Sequence, residues 1–322
     1  NDNDEDTYLG IKDHLNETPL LSSKKLNQLL GIQIFVKAEN HQKTGSFKLR
    51  GAYYKIRSLT DDEKKKGVIA ASAGNHAQGV AYASSLENIS CTIVMPINAS
   101  PAKISATRNY GANVVLSGKN YDESSLKAQE IASQTGGTII HAFDDPYIIS
   151  AQGVIGLEII DQLPDVDEIY VPIGGGGLIS GILIAIKSNN PNVKIIGVES
   201  KAFPAMKMSL ESGKLETITG GYTIADGISV KTPGVNTFEI VKKYVDEIVL
   251  VDDYVDTSGT REVYMTEYAN IETSTGLGTF GSRVSAGGTV SLVFTPNPSI
   301  NSVVNVYMNA IKINDDSADI LD

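Results

Sequence analysis

From residue 30 to about 252 the chain alternates short apolar runs with amphipathic stretches, and this alternation restricts its fold more than any other feature. The runs Ile32–Lys37, Gly67–Ala71, Cys91–Met95, Asn113–Leu116, Thr138–His141, Glu168–Val171, Lys194–Val198 and Glu247–Val251 have the length and bounds of strands. Between them, Ala77–Leu86, Lys103–Tyr110, Tyr121–Ser133 and Gln152–Leu163 carry apolar residues at helical spacing. Strand and helix in turn predict an α/β fold of parallel sheets with helices on both faces. Ligands in such folds sit beyond the C-terminal ends of the strands. From about residue 254 the pattern changes: residues 267–291 are rich in Ser, Thr and Gly, and residues 290–295 and 303–313 read as strands. The terminal NDDSADILD is polar and reads as a loose end.

A chain of 322 residues is long enough for two hydrophobic cores. Its formal net charge of −11 argues against nucleic acid as a main partner, because phosphate backbones demand an excess of Lys and Arg. The run Lys64–Lys66 follows Asp61–Glu63 and reads as a solvated helix end. No apolar run approaches the ~18 residues that span a bilayer, so no membrane partner is expected. The opening NDNDEDTY has the character of neither a signal peptide nor a presequence. With Cys91 the only cysteine, no internal disulfide can form, and a cytoplasmic location is the expectation.

Three segments carry the chemistry. In HQKTGSFKLRGA (41–52), Lys48 follows a Thr-Gly-Ser turn and lies between Phe47 and Leu49. An amine among apolar neighbours loses solvation of its charged form and becomes a nucleophile, and Phe47 offers a ring face to a flat cofactor. The plain alternative is a surface lysine at a helix start. In ASAGNHAQG (71–79), a turn between strand and helix presents backbone N–H groups to a carboxylate or phosphate. Asn75 adds an amide able to donate to a phenolate-like oxygen. His76 reads as a helix-start residue rather than a ligand, since no second His or acidic cluster stands at metal spacing. In EIYVPIGGGGLISGILIAIK (168–187), Gly174–Gly177 join an apolar strand to an apolar helix. Such a loop can wrap a phosphate with its N–H groups, reinforced by the helix dipole. A flexible linker is the alternative. Neither a dinucleotide fingerprint nor a Walker A loop is present, so a single phosphate fits better than a nucleotide.

Together these segments resemble the fold-type II pyridoxal phosphate enzymes, and within them the threonine dehydratase and serine racemase group. The resemblance runs from TPLLSS at Thr18 to about Asp253, through FDDPYIISAQGVIGLEI (143–159) and TIADGISVK (223–231). It implies two open twisted sheets of the tryptophan synthase β-like kind, with residues 1–66 plus 143–253 as a large cofactor domain and 67–142 as a small domain. Residues 254–322 form an atypical β-rich segment. The resemblance further implies that pyridoxal 5′-phosphate is held covalently by Lys48, which also moves the Cα proton. Phe47 would lie on the ring, Asn75 at its 3′ oxygen, and Gly174, Gly175, Gly176, Gly177 and Leu178 at the phosphate. Ser72, Ala73, Gly74, Asn75 and His76 would take the substrate carboxylate, with Ser72 also counted among the catalytic residues. Homodimer or homotetramer assembly is implied as well.

The implied activity is β-elimination from L-threonine or L-serine, giving a 2-keto acid and ammonia. Serine racemases of this type carry a second serine where this chain has Ala73, which favours dehydration over racemisation. The metal site of some relatives pairs a Glu with a nearby Asp. Glu199 matches the first, but Ala205 stands at the second, so no metal is expected. After Asp253 the group's Glu-x-Ala-Gly segment and Ser-Gly-Gly-Asn turn are absent, and SAGGT at 285–289 is the nearest text. Two alternatives therefore accompany the lyase reading: a racemase-like or other hydroxy-amino-acid dehydratase of the same group, and a non-catalytic cofactor-binding remnant joined to an unrelated β-rich module.

Overall fold

The computed structural model describes residues 10–255 and, after them, only the strand segments Arg261–Met265, Ser274–Thr275, Gly278–Val284, Val290–Pro296, Val304–Met308 and Ile311–Ile313. The chain opens with β1 (Leu20–Ser22), α1 (Lys24–Leu30) and β2 (Phe35–Lys37), followed by α2 (Lys48–Arg57) and α3 (Asp61–Lys66). Then come β3 (Val68–Ala71), α4 (Asn75–Leu86), β4 (Cys91–Met95), α5 (Pro101–Asn109), β5 (Asn113–Leu116), α6 (Tyr121–Thr135) and β6 (Thr138–Ile139). The next stretch holds α7 (Pro146–Gln162), β7 (Glu168–Pro172), α8 (Gly177–Asn189), β8 (Lys194–Ser200), α9 (Ala205–Ser212), α10 (Val235–Tyr244) and β9 (Glu247–Val251).

Two parallel sheets result, as the alternation predicts. One has the order β5-β4-β3-β6, the other β7-β8-β9. The first core gathers Val68, Ala70, Ile93 and Met95 with Leu49, Tyr53 and Ile56 of α2 and Val80 of α4. The second gathers Val171, Ile173, Ile179, Leu183, Ile195 and Phe238, and Phe47 packs into it. Residues 47 and 49 thus belong to different cores, which leaves Lys48 between them.

Local chemistry sets the boundaries. Thr60 and Glu63 form a reciprocal capping box that starts α3; Lys65 and Lys66 at its end are exposed as expected, while Lys64 is half-buried and pairs with Glu87 at 3.4 Å. Asp145 caps α7 with Pro146 in its first turn, so this helix begins well before the expected Gln152. Two strands are shorter than expected. Gly31 adopts φ 70° at the end of α1, and Asn27 accepts from the Ile34 amide, so only Phe35–Lys37 is extended. That strand pairs antiparallel with β1 rather than joining a parallel sheet. Thr138–Ile139 stops early because the His141 ring accepts the Phe143 and Asp144 amides and turns the chain.

The elements described after residue 253 are all strands. Gly278–Val284 pairs antiparallel with Val290–Pro296, and Arg261–Met265 pairs parallel with Val304–Met308. The nearest text to the missing turn, residues 285–289, and the polar end at 314–322 lie outside the described residues.

Candidate functional site

Lys48 is the first residue of α2 and is half-buried. Its ammonium donates to the Ala142 carbonyl at 3.0 Å and lies 5.1 Å from the centre of the Phe47 ring. Its backbone is fixed from two sides. Ser46 Oγ accepts the Lys48 amide, and α4 lies so close that a Cβ on Gly79 would sit 3.2 Å from the Lys48 carbonyl carbon. Two residues further on, Arg50 is buried and bridges Glu158 at 2.6 Å and Glu39 at 2.9 Å. Burial opposes its charge, but Glu39 and Glu158 outweigh burial and raise its pKa. Lys37 joins the same group through Glu158 at 2.6 Å. This network anchors the turn that presents Lys48.

The helix starts single out two candidate anion-binding positions. The first turns of α1, α3, α5, α6 and α7 are capped by the side chains of Ser23, Thr60, Ser100, Asn120 and Asp145. Ser46, Glu199 and Asp144 supply oxygens to the starts of α2, α9 and α10. Only the first-turn amides of α4 and α8 have no side-chain oxygen among the described residues, and both helices follow a glycine, Gly74 and Gly176. These are the helices that follow the two loops singled out in the sequence. Uncapped N-terminal amides at a positive dipole end are donors awaiting an anion.

The loop Gly174–Gly177 is a cradle that no other residue could line. A Cβ on Gly175 would fall 2.4 Å from the Phe143 ring, and one on Gly177 would fall 2.9 Å from the Phe143 Cα. Gly176 adopts φ +96°, and a Cβ there would meet Thr237 at 2.8 Å. A Cβ on Gly174 would lie 3.1 Å from the Ile228 Cα, which places the TIADGISVK segment behind the loop. Phosphate binding by backbone amides needs this bare approach, so the residues present fit the phosphate of the cofactor.

Ser72 sits at the end of β3 with its Oγ accepting the Gly74 amide at 3.2 Å, and Ala73, Gly74 and Asn75 are half-buried around it. His76 opens α4 as a helix-start residue. Its ring is buried and bonds the Ile140 carbonyl at 2.9 Å, so only its backbone amide can face a carboxylate. Burial, with the Lys48 charge, lowers its pKa to about 3 and keeps the ring neutral. Leu178 lies in the first turn of α8, partly buried against the second core. Glu199 is buried with both oxygens committed, to the Met206 amide at 2.8 Å and the Lys207 amide at 2.9 Å. Burial pushes its carboxyl up to about 7. It caps α9, and no group of three candidate metal ligands forms among the described residues.

Sequence reasoning quoted FDDP as part of a motif but gave residues 141–145 no role in the site. Ala142 holds the Lys48 amine, Phe143 covers Gly175, and Asp144 and Asp145 cap α10 and α7. The signal was the pair of aspartates before a proline, a helix-start pattern that FDDP contains.

Fold and site together define a pyridoxal phosphate enzyme with two open α/β sheets. The family model described as "Pyridoxal-phosphate dependent enzyme" matches residues 11–295, and the chain belongs to that family. The chain is 53% identical over 243 residues to an L-threonine ammonia-lyase of Thermotoga maritima, covering 76% of this chain and 61% of that protein. To a catabolic L-threonine dehydratase of Staphylococcus aureus it is 49% identical over 250 residues, covering 77% of this chain and 72% of that one. Among solved structures, a threonine deaminase isoform from Solanum lycopersicum has TM-score 0.76 at 42% identity, covering 78% of this chain and 70% of that chain. A maize serine racemase has TM-score 0.76 at 36% identity, covering 78% and 76%. The chain thus spans about three-fifths of the length of the first curated relative it matches.

Proposed function

We propose that the chain is a threonine dehydratase-like ammonia-lyase that converts L-threonine or L-serine to a 2-keto acid and ammonia. One observation carries the reading. The Lys48 amine is tied through Ala142 and Phe143 to the glycine cradle, and α4, the other uncapped helix, packs against the Lys48 backbone. An amine nucleophile, a phosphate cradle and a carboxylate-binding helix start are the parts such a reaction requires.

Pyridoxal phosphate, when bound, supplies the sink for the electron pair left as the Cα proton departs. The chain's own residues do the rest. Gly174–Gly177 and Leu178 bind the phosphate through their amides, Asn75 donates to the ring oxygen, and Phe47 lies against the ring. The amides of residues 72–76 orient the substrate carboxylate. Lys48 would take the Cα proton, the β-hydroxyl leaves with one proton as water, and the released enamine is hydrolysed by water to the 2-keto acid and ammonia. Ala73 has no hydroxyl to deliver a proton to the opposite face, which favours elimination over racemisation.

The similarity of about one half in sequence to threonine ammonia-lyases and dehydratases supports the substrate class. The same reading makes 1–66 plus 143–253 the cofactor domain and 67–142 the small domain. It also includes homo-oligomeric assembly and a cytoplasmic location. No helix of the described residues is long and apolar enough to cross a membrane. A racemase reading is favoured by the likeness to the serine racemase structures of maize and Dictyostelium discoideum. One assay separates them: purified chain with pyridoxal phosphate and threonine or serine, scored for keto acid and for D-serine. Keto acid release lost in Lys48→Ala supports the lyase. D-serine without keto acid supports the racemase, and neither product leaves a binding remnant.

A further inference from the structure

The glycine loop is gripped from outside by a residue far from it in sequence. Asp144 accepts the amides of Val235 at 2.9 Å, Asn236 at 2.9 Å and Thr237 at 3.2 Å, three donors at the start of α10. The N-cap of that helix is Gly234, which has no side chain to satisfy them. A Cβ on Gly234 would fall 2.5 Å from the Asp144 carboxylate, so the position is closed to any other residue. Thr237, fully buried, donates its hydroxyl to the Gly175 carbonyl at 2.6 Å. The Gly234 amide donates to the same carbonyl at 3.2 Å.

The direction of those bonds matters. In a planar trans peptide the carbonyl of Gly175 and the amide of Gly176 point opposite ways. Two donors pulling the Gly175 carbonyl toward α10 therefore aim the Gly176 N–H away from α10. That N–H has no acceptor among the described residues. The segment bearing Asp144 also lays Phe143 on Gly175 and holds Lys48 through Ala142, so the phosphate end and the amine end share one anchor.

We propose that Asp144 is a positioning residue for the phosphate cradle, acting through α10 and Thr237 to fix the peptide between Gly175 and Gly176. The inference rests on the cofactor reading above and deepens it. Both Asp144 carboxylate oxygens are committed to the α10 amides, so its effect belongs to phosphate affinity rather than to Lys48 chemistry.

The test compares pyridoxal 5′-phosphate with pyridoxal, which lacks the phosphate, by absorbance titration of the full chain. Asp144→Ala and Thr237→Val should weaken pyridoxal phosphate on the order of tenfold, the usual cost of a lost cap or buried bond. Pyridoxal binding should stay within about twofold, since its contacts are with Lys48 and the ring face. Thr237→Ser keeps the hydroxyl and should restore phosphate affinity. Circular dichroism of each variant guards against simple unfolding, and Asp144→Asn, which keeps an acceptor, gives an intermediate loss. Equal weakening of both ligands, or unchanged affinity with a lowered Tm, would make Asp144 purely structural and overturn the proposal. A wild-type chain indifferent to the phosphate would instead overturn the cofactor reading itself.

Discussion

Replacing Gly176 by alanine tests the cradle as a shape. Two costs arise there. The φ of +96° disfavours any L side chain, by roughly 1–2 kcal/mol. The new Cβ would also lie 2.8 Å from the Met206 methyl and 2.8 Å from the Thr237 Cβ. Met206 ends in a flexible methyl and can give way, whereas Thr237 is β-branched, buried and bonded to Gly175. Overpacking of this kind costs about 1–3 kcal/mol. The total is about 2–5 kcal/mol, which for a chain of this size lowers Tm by roughly 3–7 °C. Gly213→Ala is the matched control: its φ is +76°, yet nothing lies within 4 Å of its Cβ. It carries the backbone cost alone. Thermal denaturation followed by circular dichroism measures both variants, and pyridoxal phosphate titration follows the cradle. If Gly176→Ala is no less stable than Gly213→Ala and binds as tightly as wild type, the loop is not the close-fitting cradle described above.

Further predictions address the residues around it. Arg50→Leu leaves half-buried Glu39 without its cation and buried Glu158 with Lys37 alone, and should cost about 3–5 kcal/mol in denaturant titration, against a far smaller loss for the exposed Lys66→Ala. Glu199, whose carboxyl is raised by burial to about 7 from an unfolded value near 4.5, binds its proton more tightly when folded. Its contribution is therefore full below pH 4.5 and lost as pH rises to about 7, so Glu199→Gln should remove that decline from a stability–pH curve. His76 acts oppositely: with its pKa lowered from 6.5 to about 3, its contribution is present above pH 6.5 and lost as pH falls. The two offset in wild type, and the Glu199 effect must be read as the difference between variant and parent. Gly181→Ala places a Cβ 2.3 Å from the Ile149 carbonyl and should separate α7 from α8, destabilising by at least 2 kcal/mol, on the order of the upper range for overpacking.

Much of this molecule can be read from its sequence because its core strands are short, apolar and bounded by turn residues. Cys91–Met95, Asn113–Leu116 and Glu247–Val251 fall where the pattern places them. Lys48 and the glycine loop were also legible, since bare loops between strand and helix carry a recognisable chemistry. Tertiary hydrogen bonds were not. The His141 ring that ends β6, and Asp144 reaching α10 across 91 residues, depend on partners that no local window contains. His76 shows the same limit: its place at a helix start was readable, but its inward-turned ring was fixed by the Ile140 carbonyl. Glu199, matched in the sequence to one half of a metal pair, likewise has both oxygens on amides at the start of α9, a contact that no local window contains.

The central claim is that Lys48 is the amine that receives pyridoxal phosphate. Incubating the full chain with pyridoxal phosphate, reducing with borohydride and mapping the peptides by mass spectrometry tests it directly. The account predicts a single reduced adduct on the peptide containing Lys48, absent in Lys48→Ala. An adduct spread over exposed lysines, or none at all, would contradict it.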